Sequence, residues 1–128
     1  MFVVLRKFEP YAYVAVRIVA GALFVFHGLQ KLAGMFGGQQ AELLSRTGAA
    51  GVIEAAGGVL IAVGGWTVPI AFIASGEMAF AYYLAHHPRG VWPIQNGGEL
   101  ALLYCALFLY VATRGPGILS LDGLMRRR

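Results

Sequence analysis

Arg17, His27, Gln30 and Lys31 all fall within one long apolar stretch, YVAVRIVAGALFVFHGLQKLAGMFGG, residues 13–38. Side chains of these types can form ion pairs, donate hydrogen bonds to a ligand or exchange protons. Their spacing favours joint action. At about 100° of turn per helical residue, His27 and Arg17 lie about 40° from Lys31, one on either side. Gly21, Phe24 and Gly28 fall in the same sector, so glycines open room beside a basic face. A face of this kind is expected to point into a helix assembly or towards water, not into lipid.

Acidic partners are at hand. Each of the three later apolar segments carries one carboxylate: Glu54, Glu77 and Glu99. With about 1.5 Å of rise per residue, Lys31 and Glu99 lie about 3 Å from the outer ends of their segments, Glu54 about 8 Å, His27 about 9 Å and Glu77 about 15 Å. Lys31, His27, Glu54 and Glu99 can therefore meet in the outer half, with Glu77 near mid-membrane. Arg17 lies nearer the other face, where it would pair with Glu77 or extend to the headgroups. Uncompensated charge is costly in the bilayer, so pairing is expected. Two arrangements satisfy this: a structural network of ion pairs among Arg17, Lys31, Glu54, Glu77 and Glu99, or a polar pocket for a redox or proton-linked ligand. They differ in whether a cavity remains. Lys31 is expected to be charged and paired with Glu54 or Glu99, closing the mouth of the assembly.

The remaining chemistry-bearing residues say less. HHPRGVWPIQNGG places His86, His87, Arg89, Trp92, Gln95 and Asn96 at the outer interface, as polar anchors or as a lid over the pocket. Adjacent histidines diverge on a helix, and no metal site is expected. Cys105 is the only cysteine, which excludes an internal disulfide or a CxxC redox pair and suits a small buried hydrophobe. No glycine-rich strand–helix loop supports nucleotide binding.

What must position these residues is a membrane scaffold. The chain of 128 residues is 59% hydrophobic and only 12% charged, whereas a soluble domain averages about 25% charged. Continuous apolar runs without alternation argue against a barrel. Helices are predicted over about 11–33, 49–65, 67–86 and 97–113, giving an all-α, integral membrane four-helix bundle in a single domain. Arg6 and Lys7 precede the first run, but the run is too long for a cleaved signal and lacks a small-x-small site, so a retained helix is expected. Arg6, Lys7, Arg114, Arg126, Arg127 and Arg128 flank one side, and Lys31, Arg46 and Arg89 the other, which puts both termini in the cytoplasm. The basic C-terminal run suits anionic lipid headgroups. Without a basic stripe interleaved with aromatics, nucleic acid is not an expected partner. Gly51, Ala55, Gly58, Ala62 and Gly65 form a stripe of small residues at alternating four- and three-residue spacing, predicting close packing on a neighbouring helix of the same chain or of a second copy.

These stretches resemble one family. RIVAGALFVFHGLQKLAGMFGG is similar to the first-helix signature of the DoxX family of small bacterial membrane proteins. GVIEAAGGVLIAVGGWT resembles its second helix, with a carboxylate ahead of a double glycine, and GGELALLYCALFLYVATRGPGILSLD resembles its end. The resemblance covers nearly the whole chain. It implies a four-helix bundle in the bacterial inner (cytoplasmic) membrane, with His27, Gln30, Lys31, Glu54 and Glu99 as the family-pattern positions and candidate ligand-binding residues. It also implies a link with thiosulfate:quinone oxidoreductase, which passes electrons to membrane quinone. The expected function is a membrane subunit supporting quinone-linked electron transfer. Lys31 and His27 would then donate hydrogen bonds to the headgroup, Glu54 or Glu99 would accept protons, and Phe24, Phe26, Tyr82 and Trp92 would line the ring or tail. No electron carrier is evident in the chain, so another membrane subunit would supply it. The alternative is a non-catalytic accessory subunit packing against a larger respiratory or photosynthetic complex through its glycine stripe and aromatic edges, or a homo-oligomer, with a purely structural polar cluster.

Overall fold

The computed structural model describes residues 2–126; Arg127 and Arg128 of the basic C-terminal run lie outside the described residues. A short helix α1 (Phe2–Lys7) leads into α2 (Glu9–Ala33). Pro10 sits in the first turn of α2, where its missing N–H is not needed, so the helix starts ahead of the predicted residue 11. Helix α3 (Arg46–Val63) starts three residues before its predicted bound because Ser45 caps it, its Oγ accepting from the Gly48 N–H at 3.0 Å. It stops short of residue 65 because Gly64 turns left-handed, at φ 71°. Helix α4 (Thr67–Ala81) continues into a π turn, Tyr82–His86, and a 3-10 turn, His87–Arg89. Then come α5 (Pro93–Asn96), α6 (Glu99–Arg114) and α7 (Leu121–Met125).

Among the described residues all regular structure is helical. Three stretches, Glu9–Ala33, Arg46–Val63 and Thr67–Arg89, are long and apolar enough to cross a membrane. Helix α6 has 16 residues, about 24 Å of rise, and is shorter than these. The helices expose large apolar side chains, among them Val19, Leu23, Phe72, Ile73, Phe80 and Leu103, as expected when the solvent is hydrocarbon.

Packing follows the small residues. A Cβ on Gly58 would come within 2.6 Å of the Gly21 carbonyl oxygen, and one on Gly21 would meet the Ala62 nitrogen at 2.7 Å. Gly28 lies against Ala55, and Gly51 against Leu32 and Lys31. The stripe on α3 thus faces α2 of the same chain. Gly65 does not extend it, because α3 has already ended, and lies near Leu121 instead. Helix α4 packs closely on α6 and less closely on α3. Between α2 and α6 the contact runs through side chains, with Phe24 4.7 Å from Phe108 and 5.5 Å from Tyr104, centroid to centroid.

The chain enters α2 and leaves α6 at one end, here the terminal end, where Glu9 pairs with Arg114 and the Tyr13 hydroxyl donates to the Gly115 carbonyl. Lys31 and the 82–98 loop lie at the opposite, distal end.

Candidate functional site

Among the polar residues of the helix interior, Glu54 stands out. It is the only carboxylate classed as buried among the described residues, its side chain retaining 1% exposure. Helix α3 brings it against α2 because Gly51, Ala55 and Gly58 on the same face let the backbones meet, leaving a slot in which a long side chain can lie. Lys31 donates to its Oε1 and forms an ion pair with it, while itself retaining 29% exposure. The other oxygen of Glu54, Oε2, is buried without a partner. On α4, Glu77 also has a buried, unpartnered Oε2. Glu77 lies within electrostatic reach of Glu54 and Lys31, and Glu54 within reach of His27 and Tyr104. The His27 ring meets Tyr104 edge-on, centroids 6.0 Å apart. Four helices therefore contribute to one polar core: His27 and Lys31 from α2, Glu54 from α3, Glu77 from α4 and Tyr104 from α6.

Two sequence expectations are corrected here. Glu99 is exposed in the first turn of α6 and makes no ion pair among the described residues. Its depth matches that of Lys31, but α6 packs most closely on α4, and Glu99 stays exposed while Lys31 pairs with Glu54. Arg17 neither pairs with Glu77 nor extends to headgroups. It is fully buried and donates to three carbonyls, those of Pro116, Leu119 (2.8 Å) and Ala62 (3.3 Å). The turn after α6 folds back over the terminal end, and its otherwise orphaned carbonyls are where a guanidinium fork finds acceptors. Gln30 is half-buried, its Nε2 3.4 Å from the Phe36 carbonyl oxygen.

An apolar groove of about 370 Å3 opens between α2 and α6. Ala15, Val19 and Leu23 line one wall; Leu103, Tyr104 and Leu107 line the other. The four aromatics expected at a ligand are placed elsewhere. Phe24 is in the core, Phe26 stacks edge-on against exposed Phe36, Tyr82 accepts from Asn96 Nδ2 at 3.2 Å, and Trp92 is exposed. Asn96, 2% exposed, organises the distal loop, with Nδ2 donating to the Gly90 carbonyl at 2.9 Å and Oδ1 accepting from the Gly98 N–H at 2.8 Å. The His86 ring meets the Asn96 carbonyl at 3.2 Å, and His87 is exposed. Cys105 is half-buried, its carbonyl accepting from Ser75 Oγ at 2.8 Å. No group of three or more potential metal ligands occurs among the described residues.

Sequence reasoning missed Tyr104 and Asp122. Tyr104 hides in an apolar run, and only its position on the α2-facing side of α6 marks it. Asp122, in α7, accepts from the N–H groups of Trp66 (2.8 Å) and Thr67 (2.9 Å), capping α4 from another helix. Partial burial pushes its carboxyl up, but the Thr67 and Trp66 N–H groups and nearby Arg126 outweigh this and hold it below the ordinary aspartate value. The cap supports Trp66 in a left-handed conformation, at φ 47°.

Comparison with known proteins places this geometry in a family. The DoxX family model matches residues 12–87, which take in α2 from Ala12 onward, all of α3 and α4, and the π turn. A protein of Haemophilus influenzae described as uncharacterised is 43% identical over 125 residues, covering 92% of this chain and 93% of that protein. No solved structure matches the chain. With a family match over more than half its length and the apolar helices to go with it, the chain belongs to the DoxX family of membrane proteins.

Proposed function

We propose that this chain crosses the bacterial cytoplasmic membrane four times, as a bundle of α2, α3, α4 and α6, and supports quinone-linked electron transfer as a membrane subunit of a redox complex. Both termini lie in the cytoplasm on this reading. The flanking charges support it: Arg6, Lys7, Arg114 and Arg126 lie at the terminal end, with Arg127 and Arg128 following in sequence. Arg46 and Arg89 lie at the distal end, where Lys31 is already paired with Glu54.

The observation that carries the functional reading is the apolar groove between α2 and α6, with Tyr104 in its wall and the His27 ring edge-on to that tyrosine. A quinone has a long apolar tail and a ring with two oxygens that accept hydrogen bonds and protons. The aliphatic walls suit the tail. Tyr104 is the donor in the groove wall, His27 lies against it, and Lys31 holds one oxygen of Glu54 while the other keeps no partner. When bound, a quinone would supply the redox chemistry; the chain would bind it, orient it and handle its protons. A partner subunit would supply the electrons.

Gentle solubilisation from native membranes, followed by quinone extraction and mass determination of the assembly, tests this. Wild-type protein is expected to carry quinone together with a redox partner. Ala15→Phe, which fills the groove from an exposed position, is expected to lose the quinone without losing thermal stability. A large stoichiometric partner with no quinone in the bundle would overturn the proposal in favour of a non-catalytic accessory subunit. The glycine stripe does not favour that alternative, since α2 already occupies it.

A further inference from the structure

The polar core has an unbalanced set of charges. From α2 it receives Lys31 and His27, from α3 Glu54, from α4 Glu77 and from α6 Tyr104. That is two carboxyl groups and one ammonium, with an imidazole alongside. Arg17 cannot supply the missing positive charge, because its hydrogen bonds go to carbonyls at the terminal end. Glu54 and Glu77 each keep one buried oxygen with no hydrogen-bond partner, and no hydrogen bond reaches Glu77 among the described residues. In a low dielectric an uncompensated buried charge is strongly disfavoured. The neutral arrangement is one ammonium, one carboxylate and one carboxylic acid.

We propose that Glu54, Glu77 and Lys31 form an intramembrane proton-exchange site, which holds one proton between its two carboxyl groups and loads from the distal face. Exposure marks the mouth: Lys31 retains 29% and is the wet end, while Glu54 behind it retains 1%. A proton moving from the Glu77 acid to the Glu54 carboxylate leaves one acid, one carboxylate and one ammonium, the same set as before. The transfer conserves net charge but takes the carboxylate out of its contact with Lys31, so the ion pair opposes it. Loss of the proton to water through Glu54 and Lys31, and its return by the same route, restores the neutral set. The site offers one exchangeable proton to chemistry inside the bilayer, whatever the ligand, and does not rest on the quinone reading.

The charge count gives a spectroscopic test that needs no ligand. A carboxylic acid has a C=O stretch that a carboxylate lacks, and the band shifts when its proton is replaced by deuterium. The background is low, because the chain has only six acidic side chains. Infrared spectra would be taken of the full chain in lipid nanodiscs at neutral pH, in water and in D2O. Wild type is expected to show one buried acid band that shifts promptly in D2O. Glu77→Gln is expected to abolish it, since the Glu54 carboxylate stays paired with Lys31, whereas Glu54→Gln is expected to keep it, since part-exposed Lys31 turns to water and Glu77 stays an acid. Lys31→Met is expected to double it, and His27→Gln to leave it unchanged. A wild-type spectrum without the band would overturn the proposal, as would a Lys31→Met spectrum no stronger than wild type. A band that resists D2O indefinitely would overturn the exchange. A band present only in His27→Gln would move the proton to the imidazole and also overturn it. Wild type alone can refute the idea, so misfolded variants do not protect it.

Discussion

Removing Lys31 should be far more damaging alone than together with its partner. In Lys31→Met the Glu54 carboxylate, 1% exposed, loses its only ionic partner. It cannot stay charged in that slot, so its escape is to take up a proton. Bringing a carboxyl of ordinary value about 4.3 to its acid form near pH 7 costs about 3.7 kcal/mol, which sets the scale of the loss. The folded variant then holds a proton that the unfolded chain sheds, so its stability falls as pH rises. Each unit of pH on the acid side of neutral should return about 1.4 kcal/mol. Glu54→Gln removes the charge and keeps the shape, and Lys31, part-exposed, can turn to water, so that loss should be only about 1 kcal/mol. The double variant should be close to Glu54→Gln alone, giving a coupling of about 3 kcal/mol. Reversible unfolding in detergent, at two pH values and at all four corners of the cycle, measures it. Additive losses, or a Lys31→Met loss independent of pH, would refute the claim that the pair is buried and ionic.

Other outcomes follow from the packing. Gly58→Ala should destabilise by about 1–3 kcal/mol, because its Cβ meets the Gly21 carbonyl oxygen at 2.6 Å, whereas Gly76→Ala, with nothing within 4 Å, should be neutral or slightly stabilising by thermal melt. Arg17→Met should release the turn after α6, exposing residues 115–125 to protease, and Arg17→Lys should restore little, since one ammonium cannot span three separated carbonyls. The carboxyl of Asp122 is held below its ordinary value, so its contribution is present above about pH 3.9 and lost as pH falls through its folded value. Trp66 fluorescence in a Trp92→Phe background should therefore report undocking of α7 in acid, and Asp122→Asn should show it already at neutral pH.

How much of this was written in the sequence depends on whether the determinant is local. The basic face of α2 and the small-residue face of α3 are periodic, and periodicity survives folding; so does the pairing capacity of Lys31 with a carboxylate one helix away. Glu99 could not be placed by depth alone, because its side of the assembly depends on α6 packing against α4. Arg17 looked like an ion-pair partner because carboxylates are visible in a sequence and turn carbonyls are not; its acceptor at Pro116 lies 99 residues along the chain. Asp122 follows Ser120 in a local capping pattern, which gives α7 its own cap at Gly123 but no hint that the carboxylate also closes α4. Tyr104 carries no local mark at all, and only the juxtaposition of α2 with α6 gives it a place beside His27.

The most direct measurement is a density map of the assembly isolated from native membranes. The expected result is a quinone whose tail lies in the groove between α2 and α6 and whose ring oxygen approaches Tyr104 and His27, with a redox subunit at hand to reduce or oxidise it. A groove filled by a partner's helix or by phospholipid, with Glu54 and Lys31 sealed from any ligand, would contradict the proposed function.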